Sequence, residues 1–452
     1  MRTESERAYG GVAYAPTWML KATFRSLAGY NYRLWAAGAL VSNVGTWMQR
    51  TAQDWIVFTE LTRHDATAVG FVMALQFGPS LLFLPLTGFA ADHFDRRRLL
   101  MLSQSLQGVL AFALGILTVT GQVELWHVYT LAFLLGCVTA FDAPARQTFV
   151  AELVSDKNLS NAVALNSTSF QIARMTGPAL AGLLIAGVGT GWVFLINAAT
   201  FVGVLASLWA IRTGELHRHE RAARKTGGLI AGFLYVRGRP DLVVVLTMLF
   251  LVATFCMNFA VFVSTMAVTV FGVSAGGYGL LQSMLAVGSV VGALSAARRE
   301  EPRAILLLSS VALIAFFFCV AAAMPTYLGF GLALMALGLC LQTFMTTANS
   351  TVQLWTEPSM RGRVMAIYMS IVNGCTLFGA PFVGWVANRH GARWSLMVAA
   401  VAGLLAALVG IRYLVKHRGL RVERHGLRLR FKLAEPAVKG GAVREPETNT
   451  PA

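Results

Sequence analysis

Long apolar runs, broken by short polar stretches, recur along almost the whole chain. Crossing a bilayer as a helix takes about 20 residues, and each run is long enough. The pattern predicts helices over 33–60, 67–91, 98–120, 125–150, 159–187 and 190–211. After a polar interval it predicts six more, over 241–270, 276–297, 303–323, 326–350, 363–388 and 392–415. The chain therefore divides into an N-terminal tail (1–30), six spans (31–212), a basic linker (213–240), six spans (241–415) and a C-terminal tail (416–452). The expected fold is an all-α membrane protein of twelve transmembrane helices in two pseudo-symmetric six-helix bundles. The stretch "MRTESERAYGGVAYAPTW" lacks the apolar core and small-residue cleavage site of a signal peptide. The C-terminal tail turns Pro/Gly/Thr-rich, a composition that predicts disorder at its end.

Composition supports the membrane reading. Of 452 residues, 56% are hydrophobic and 13% charged, whereas a soluble domain carries about 25% charged residues. Charge placement sets the orientation. With both tails inside, all but six of the 37 Lys and Arg fall in the tails and the loops on that side. Arg63, Arg389 and Arg393 lie outside, while Arg50, Arg146 and Arg174 lie within spans. The positive-inside rule then places both termini in the cytoplasm and the chain in the cell membrane. It also accounts for the net charge of +16 without a nucleic-acid partner. The stretch "KHRGLRVERHGLRLRFK" suits anionic lipid headgroups better than a polymer.

A weak internal repeat joins the two sets of spans. Residues 144–182 align with 350–384, matching Gln147 to Gln353, Glu152 to Glu357 and Pro178 to Pro381. A second match sets Arg50 against Asn258. A parallel repeat of this kind implies two similar halves around a central cavity, an arrangement suited to alternating access.

Two motifs add chemistry. After the second span, "GFAADHFDRRRLL" places Gly88, Asp92, Arg96 and Arg97 at the spacing G-x-x-x-D-x-x-x-R-R. In the fifth span, "ARMTGPALAG" carries Gly177, Pro178 and Gly182, with Ala173 where a further Gly would complete G-x-x-x-G-P-x-x-x-G. Anchoring a loop needs only the arginines, and packing helices needs only small residues and a proline kink. The spacings ask for more. They resemble the signature loop and the antiporter motif of the major facilitator superfamily. The wider pattern "GTWMQRTAQDW…FDAPARQTFVAELV" looks like its drug:proton antiporter branch, which includes bacterial siderophore (enterobactin-type) exporters. The resemblance implies export of a small organic substrate and a cavity lined by helices 1 and 4. It also implies a cytoplasmic latch in which Gly88, Asp92, Arg96, Arg97 and Glu152 take part and Asp92 and the arginines bridge to the opposite half. The second-half loop keeps Gly292 but has Ala296 in place of the Asp.

Charges inside spans mark the candidate site. Each costs at least about 2.5–3.5 kcal/mol at the bilayer centre, so it needs a partner or a wet cavity. Asp54 and Asp142 are the acids well inside spans, and Arg50, Arg146 and Arg174 the bases. Arg50 with Asp54, and Asp142 with Arg146, are one turn apart and can share a face. Static pairs that fix packing are the plain alternative, although buried ion pairs are weak stabilisers. We read the five as a proton-coupling set, with Asp142 foremost because about ten residues of helix place it near mid-membrane. An aspartate in water titrates near 3.9, so proton exchange near neutrality requires a site that an arginine approaches and leaves as the halves rock. The second set of spans offers neutral polar groups. Trp47, Asn258, Gln342, Asn349 and Asn373 are candidate substrate contacts, with Phe77, Phe255, Phe344 and Trp355 as a further apolar lining.

No nucleotide-binding loop, H-E-x-x-H, paired C-x-x-C or G-x-S-x-G pattern occurs, so neither an enzyme, a cofactor nor a metal site is expected. The five cysteines read as small packing residues. The favoured function is a proton-coupled exporter of small amphipathic molecules, acting as a monomer with protons and membrane lipids as its other partners. A lipid or lysophospholipid flippase on the same fold is one alternative, and a transport-dead sensor or scaffold using the basic tail is another. Truncating 416–452 would abolish a scaffold's function and leave a transporter's largely intact. The topology has its own test. With Gln122→Cys and Arg221→Cys, an impermeant thiol reagent applied outside should label position 122 alone. Labelling of 221 with 122 protected would invert the arrangement.

Overall fold

The structure is a computed structural model that describes residues 24–83, 86–87, 94–217, 229–297, 304–418, 421–425 and 428–432. The N-terminal helices are α1 (Tyr30–Ile56), α2 (Ala66–Leu82), α3 (Arg96–Val119), α4 (Leu125–Glu152), α5 (Asp156–Val188) and α6 (Thr190–Ala210). A short helix, α7 (Leu229–Arg237), precedes the C-terminal group. That group comprises α8 (Pro240–Phe255), α9 (Phe259–Thr265), α10 (Ala275–Ala297), α11 (Ala304–Ala323), α12 (Tyr327–Trp355), α13 (Arg361–Gly374), α14 (Thr376–His390) and α15 (Ala392–Arg418). Counting α8–α9 and α13–α14 each as one span, ten described segments are long and apolar enough to cross a membrane. The other two predicted spans correspond to α1, whose buried residues include Asn31, Ser42, Gln49, Gln53 and Asp54, and α2, a shorter apolar helix of 17 residues. In the tail, Arg421–His425 (β1) pairs antiparallel with Arg428–Lys432 (β2), so the basic stretch holds strand pairing beyond the helices expected from the sequence. The predicted disordered end, from 433, lies outside the described residues.

Polar caps set several helix starts. The Asp65 carboxylate accepts from Thr67 N and Ala68 N, and Asp95 accepts from Arg98 N. Each satisfies backbone donors that a helix start leaves open. The repeat is also visible in the backbone. Single glycines at positive φ, Gly189 (φ 90°) and Gly391 (φ 98°), turn the chain between α5 and α6 and between α14 and α15. Five-residue π-helical turns follow α1 (Val57–Leu61) and α9 (Met266–Val270). Pro178 and Pro381 sit inside α5 and α14.

Among the N-terminal helices, α1 packs on α5 and α6, α3 on α4 and α6, and α2 on α4. Among the C-terminal ones, α10 packs on α12, and α15 on α8 and α11. The two groups meet through α2 against α14 and α5 against α10. Both seams depend on glycine. A Cβ at Gly182 would stand 2.7 Å from the Ala275 carbonyl oxygen, and Gly70, Gly279 and Gly384 likewise lie against backbone of the opposite group. In lipid, where apolar side chains gain little from leaving one hydrocarbon for another, such close backbone approach is what joins helices. All four glycines lie near the end of the molecule that carries Asp65, Gly189 and Gly391. A polar clasp closes the same end. Asn388 on α14 donates to Asp65 Oδ1 (2.5 Å) and Thr67 Oγ1 (2.8 Å), and its Oδ1 accepts from Ala66 N (2.8 Å).

A net hydrogen bond contributes about 1 kcal/mol. Asn388→Ala should therefore shift the molecule roughly fivefold or more toward states separated at this end. Spin labels at Arg63 and Arg389 should report a longer, broader distance in the variant. An unchanged distribution would show that the clasp does not hold this end.

Candidate functional site

Between the two groups lies a cavity of about 410 Å³, within the range of small-molecule sites. Helices α1, α2 and α5 supply its N-terminal wall; the α8–α9 break, α10, α12, α13 and α14 supply the other. Three of the five predicted intramembrane charges line it, namely Arg50, Asp54 and Arg174. The Arg50 guanidinium carbon lies 5.1 Å from the Trp47 ring centroid and 5.3 Å from that of Phe77, both cavity residues. Such cation–π contacts support a cation that water has left. Its buried Nε has no hydrogen-bond partner.

Asp54 is 8% exposed. Among the described residues its carboxylate makes no hydrogen bond and no ion pair, so the expected Arg50–Asp54 pair is a shared face without a direct bond. Arg174 reaches across the α5–α10 seam, donating from Nη2 to Ser289 Oγ at 3.0 Å. One arginine thus rides on the same helix as Asp54, and the other spans the two groups.

The second predicted pair has a different setting. Asp142 Oδ1 accepts from Ser103 Oγ (2.6 Å) and Gln104 Nε2 (2.7 Å). Its Oδ2 accepts from Arg146 Nε (3.1 Å) and Nη2 (2.9 Å). Arg146 also lies over Trp35, 5.6 Å from the ring centroid. This cluster is packed between α3 and α4. Helix α4 contributes nothing to the described cavity lining, which corrects the expectation that helices 1 and 4 line it. The carboxylate of Asp142 turns toward the hydroxyl and amide of α3 and away from the cavity.

Of the latch residues, Gly88 and Asp92 lie outside the described residues. Arg96 is ion-paired with Glu152. Arg97 donates from Nε to Leu208 O (2.8 Å) and from Nη2 to Trp209 O (3.1 Å), carbonyls that the C-terminal end of α6 leaves open. Both arginines therefore bind within the N-terminal group, where the resemblance implied a bridge to the opposite half. Of the fifth-span motif, Gly177 faces Trp47 of α1, Pro178 lines the cavity and Gly182 forms the seam with α10.

Among the substrate candidates, Trp47, Gln342 and Asn373 line the cavity. Asn258 is buried at the break between α8 and α9, donating to Thr254 O at 2.8 Å, and its neighbours Met257 and Phe259 face the cavity instead. Asn349 lies apart, accepting from Gln353 Nε2. Of the apolar candidates, Phe77 lines the cavity, whereas Phe255, Phe344 and Trp355 do not. Sequence reasoning passed over Gln76, whose Nε2 donates to Gln53 Oε1 at 3.1 Å, and Ser289. Single amides and hydroxyls inside apolar runs were the available signal. Gln282, another single amide within an apolar run, lines the cavity and donates to Tyr278 Oη at 3.1 Å.

Comparison with known proteins places this site in context. The family model described as transmembrane secretion effector matches residues 21–433. An uncharacterised transporter of the major facilitator type from Bacillus subtilis is 27% identical over 227 residues, 49% of this chain and 52% of that protein. A staphyloferrin A transporter from Staphylococcus aureus is 30% identical over 167 residues, 36% of this chain and 42% of its own. The match thus spans about half the length of these two relatives. The enterobactin exporter of Salmonella typhimurium is 23% identical over 389 residues, 84% of this chain and 89% of its own. Among solved structures, the nucleoside transporter NupG superposes with a TM-score of 0.71 at 13% identity, covering 84% of this chain and 99% of that one. A bacterial homologue of the human lysosomal transporter Spinster gives 0.66 at 13% identity, covering 85% and 97%. At such identities the structural likeness speaks for the fold alone.

Proposed function

This chain belongs to the transmembrane secretion effector family of the major facilitator superfamily, and from that premise we propose that it exports small amphipathic organic molecules by proton antiport. It is a multi-pass membrane transporter and not an enzyme. The cargo class we propose comprises drug-like compounds, secondary metabolites and siderophores. The named exporters among its relatives support export, and the mixed lining of amides and aromatic rings suits an amphipathic guest. In this reading α1–α6 and α8–α15 are two six-helix bundles with both termini in the cytoplasm. The glycine seams and the Asn388 clasp then close the outer end, so the cavity is offered to the cytoplasm.

The observation that carries the coupling mechanism is the unbonded Asp54 carboxylate in a cavity between two groups of helices. Arg50 travels with Asp54 on α1, while Arg174 is tied through Ser289 to α10. Arg174 stands on α5 in the same bundle as Asp54, so rocking of one bundle against the other acts on its side chain. Making or breaking the Arg174–Ser289 bond swings the guanidinium within the cavity it shares with Asp54 and leaves Arg50 in place. When Arg174 recedes, Asp54 takes a proton from outside; when it returns, the proton is released inside. Asp54 therefore replaces Asp142 as the first choice for the proton carrier. Asp142 has all its accepting capacity engaged by Ser103, Gln104 and Arg146, a setting that ties α3 to α4 and leaves no open acceptor for the cavity.

Transport into sealed inside-out vesicles, with an imposed pH gradient and a panel of amphipathic compounds, tests both assignments. Asp54→Asn should reduce gradient-driven accumulation by about tenfold or more, the scale on which loss of a positioned proton carrier acts. Its thermal stability should match the parent's. Asp142→Asn leaves the partly buried Arg146 without its counter-charge, a loss of up to about 3 kcal/mol, the lower end for a broken buried pair. Its main defect should be a lower unfolding temperature. Normal pumping by Asp54→Asn against a gradient would refute the coupling role.

A further inference from the structure

The eleventh predicted span is interrupted, with α13 ending at Gly374, α14 beginning at Thr376 and Cys375 between them. Two spaces meet at this break. On one side Val372, Asn373 and Thr376 line the central cavity. On the other, Ile371, Gly374 and Cys375 line a separate groove of about 510 Å³. Leu81 of α2, Phe233 of α7 and Phe378 of α14 also line that groove, and apart from Ser370 and Cys375 its lining is apolar. Phe378 is 69% exposed and Phe233 64%. In a membrane such faces meet lipid.

Cavity and groove adjoin along α2 and α13, where Phe77 and Asn373 line the one and Leu81 and Gly374 the other. Leu81 lies on the bare face of Gly374, where a Cβ would stand 2.9 Å from a Leu81 methyl. Leu377 lies in the same way on Gly78, at 3.0 Å. Phe77, one turn before Leu81, already lines the cavity. The hydrogen bonds that join α2 to α13–α14 among the described residues are those of Asn388, at the far end of the seam. Glycine–backbone contacts join both seams near that end, but the α5–α10 seam carries in addition the Arg174–Ser289 bond beside the cavity. Moving Leu81 or Leu377 aside breaks no polar contact. In lipid it also exposes little that a hydrocarbon chain cannot cover again, because lipid tails are as apolar as leucine.

We propose that the Leu81–Gly374 contact is a side door, and that the groove outside it receives a hydrocarbon chain from the bilayer and passes it into the central cavity. The inference goes beyond export. It assigns to a cargo's apolar part a route through the membrane phase, while its polar part approaches Arg50 and Asp54. A phosphatidylcholine carrying a diazirine in one acyl chain, incorporated into vesicles with the full-length protein, tests it. After illumination, peptide mass spectrometry should find adducts on groove residues such as Phe378 and, in the same sample, on cavity residues such as Phe77 and Val372. Leu81→Ala should raise the cavity-to-groove adduct ratio about threefold or more, whereas Leu106→Ala, a lipid-facing change on α3, should leave it unaltered. Adducts confined to the groove in both the parent protein and Leu81→Ala would overturn the door. The parent alone suffices if a variant folds poorly. Because the readout is adduct position and not transport, failure of the parent to accumulate any compound in the vesicle assay refutes the export reading and leaves the door standing.

Discussion

Keeping charge inside hydrocarbon is the constraint on which the rest of this structure depends. At about 2.5–3.5 kcal/mol or more for each charge at mid-membrane, Arg50, Asp54 and Arg174 could not stay in a helix bundle packed only with leucine. They persist because two groups of helices leave a space between them, furnished with Gln76, Gln282, Gln342 and Asn373 and with the rings of Trp47 and Phe77 beneath Arg50. Asp142 and Arg146 meet the same constraint differently. They neutralise one another and enlist Ser103 and Gln104. One solution consumes the charge and the other leaves it available.

The helix contacts follow from the need to hold that space and still change it. Backbone approach at Gly70, Gly182, Gly279 and Gly384 joins the two groups near one end, and Asn388 adds directional bonds there. Toward the other end, between α2 and α13–α14, the contact is leucine on glycine. Contacts with few polar bonds are the ones that open at low cost, so the distribution of bonds along the seam determines which parts can move.

Much of the fold was legible because each span must satisfy its own backbone in lipid, which makes the apolar runs and the helices nearly coincident. The interruptions at 256–258 and at Cys375 were not legible. Neither contains a proline. The first lies where Gly379 of α14 packs on the Thr254 carbonyl of α8, a cause that local sequence does not carry. The site was half legible for a related reason. Spacing of four residues correctly places Arg50 with Asp54 and Asp142 with Arg146 on shared faces, but a helix face does not say which neighbour it meets. Asp142 meets the hydroxyl and amide of α3, and Asp54 meets the cavity. The motif arginines show the same limit, since Arg96 and Arg97 find Glu152 and the end of α6 within their own group.

The central claim is that Asp54 changes protonation as the transporter works. Infrared difference spectroscopy on the full-length protein in bilayers, cycled between mildly acidic and mildly alkaline pH, observes this directly, with Asp54→Asn as the reference that assigns the band. The account predicts a protonated-carboxyl stretch that appears on acidification in the parent, is absent from Asp54→Asn and persists in Asp142→Asn. A carboxyl band that survives in Asp54→Asn, or no titrating carboxyl in the parent, would contradict it.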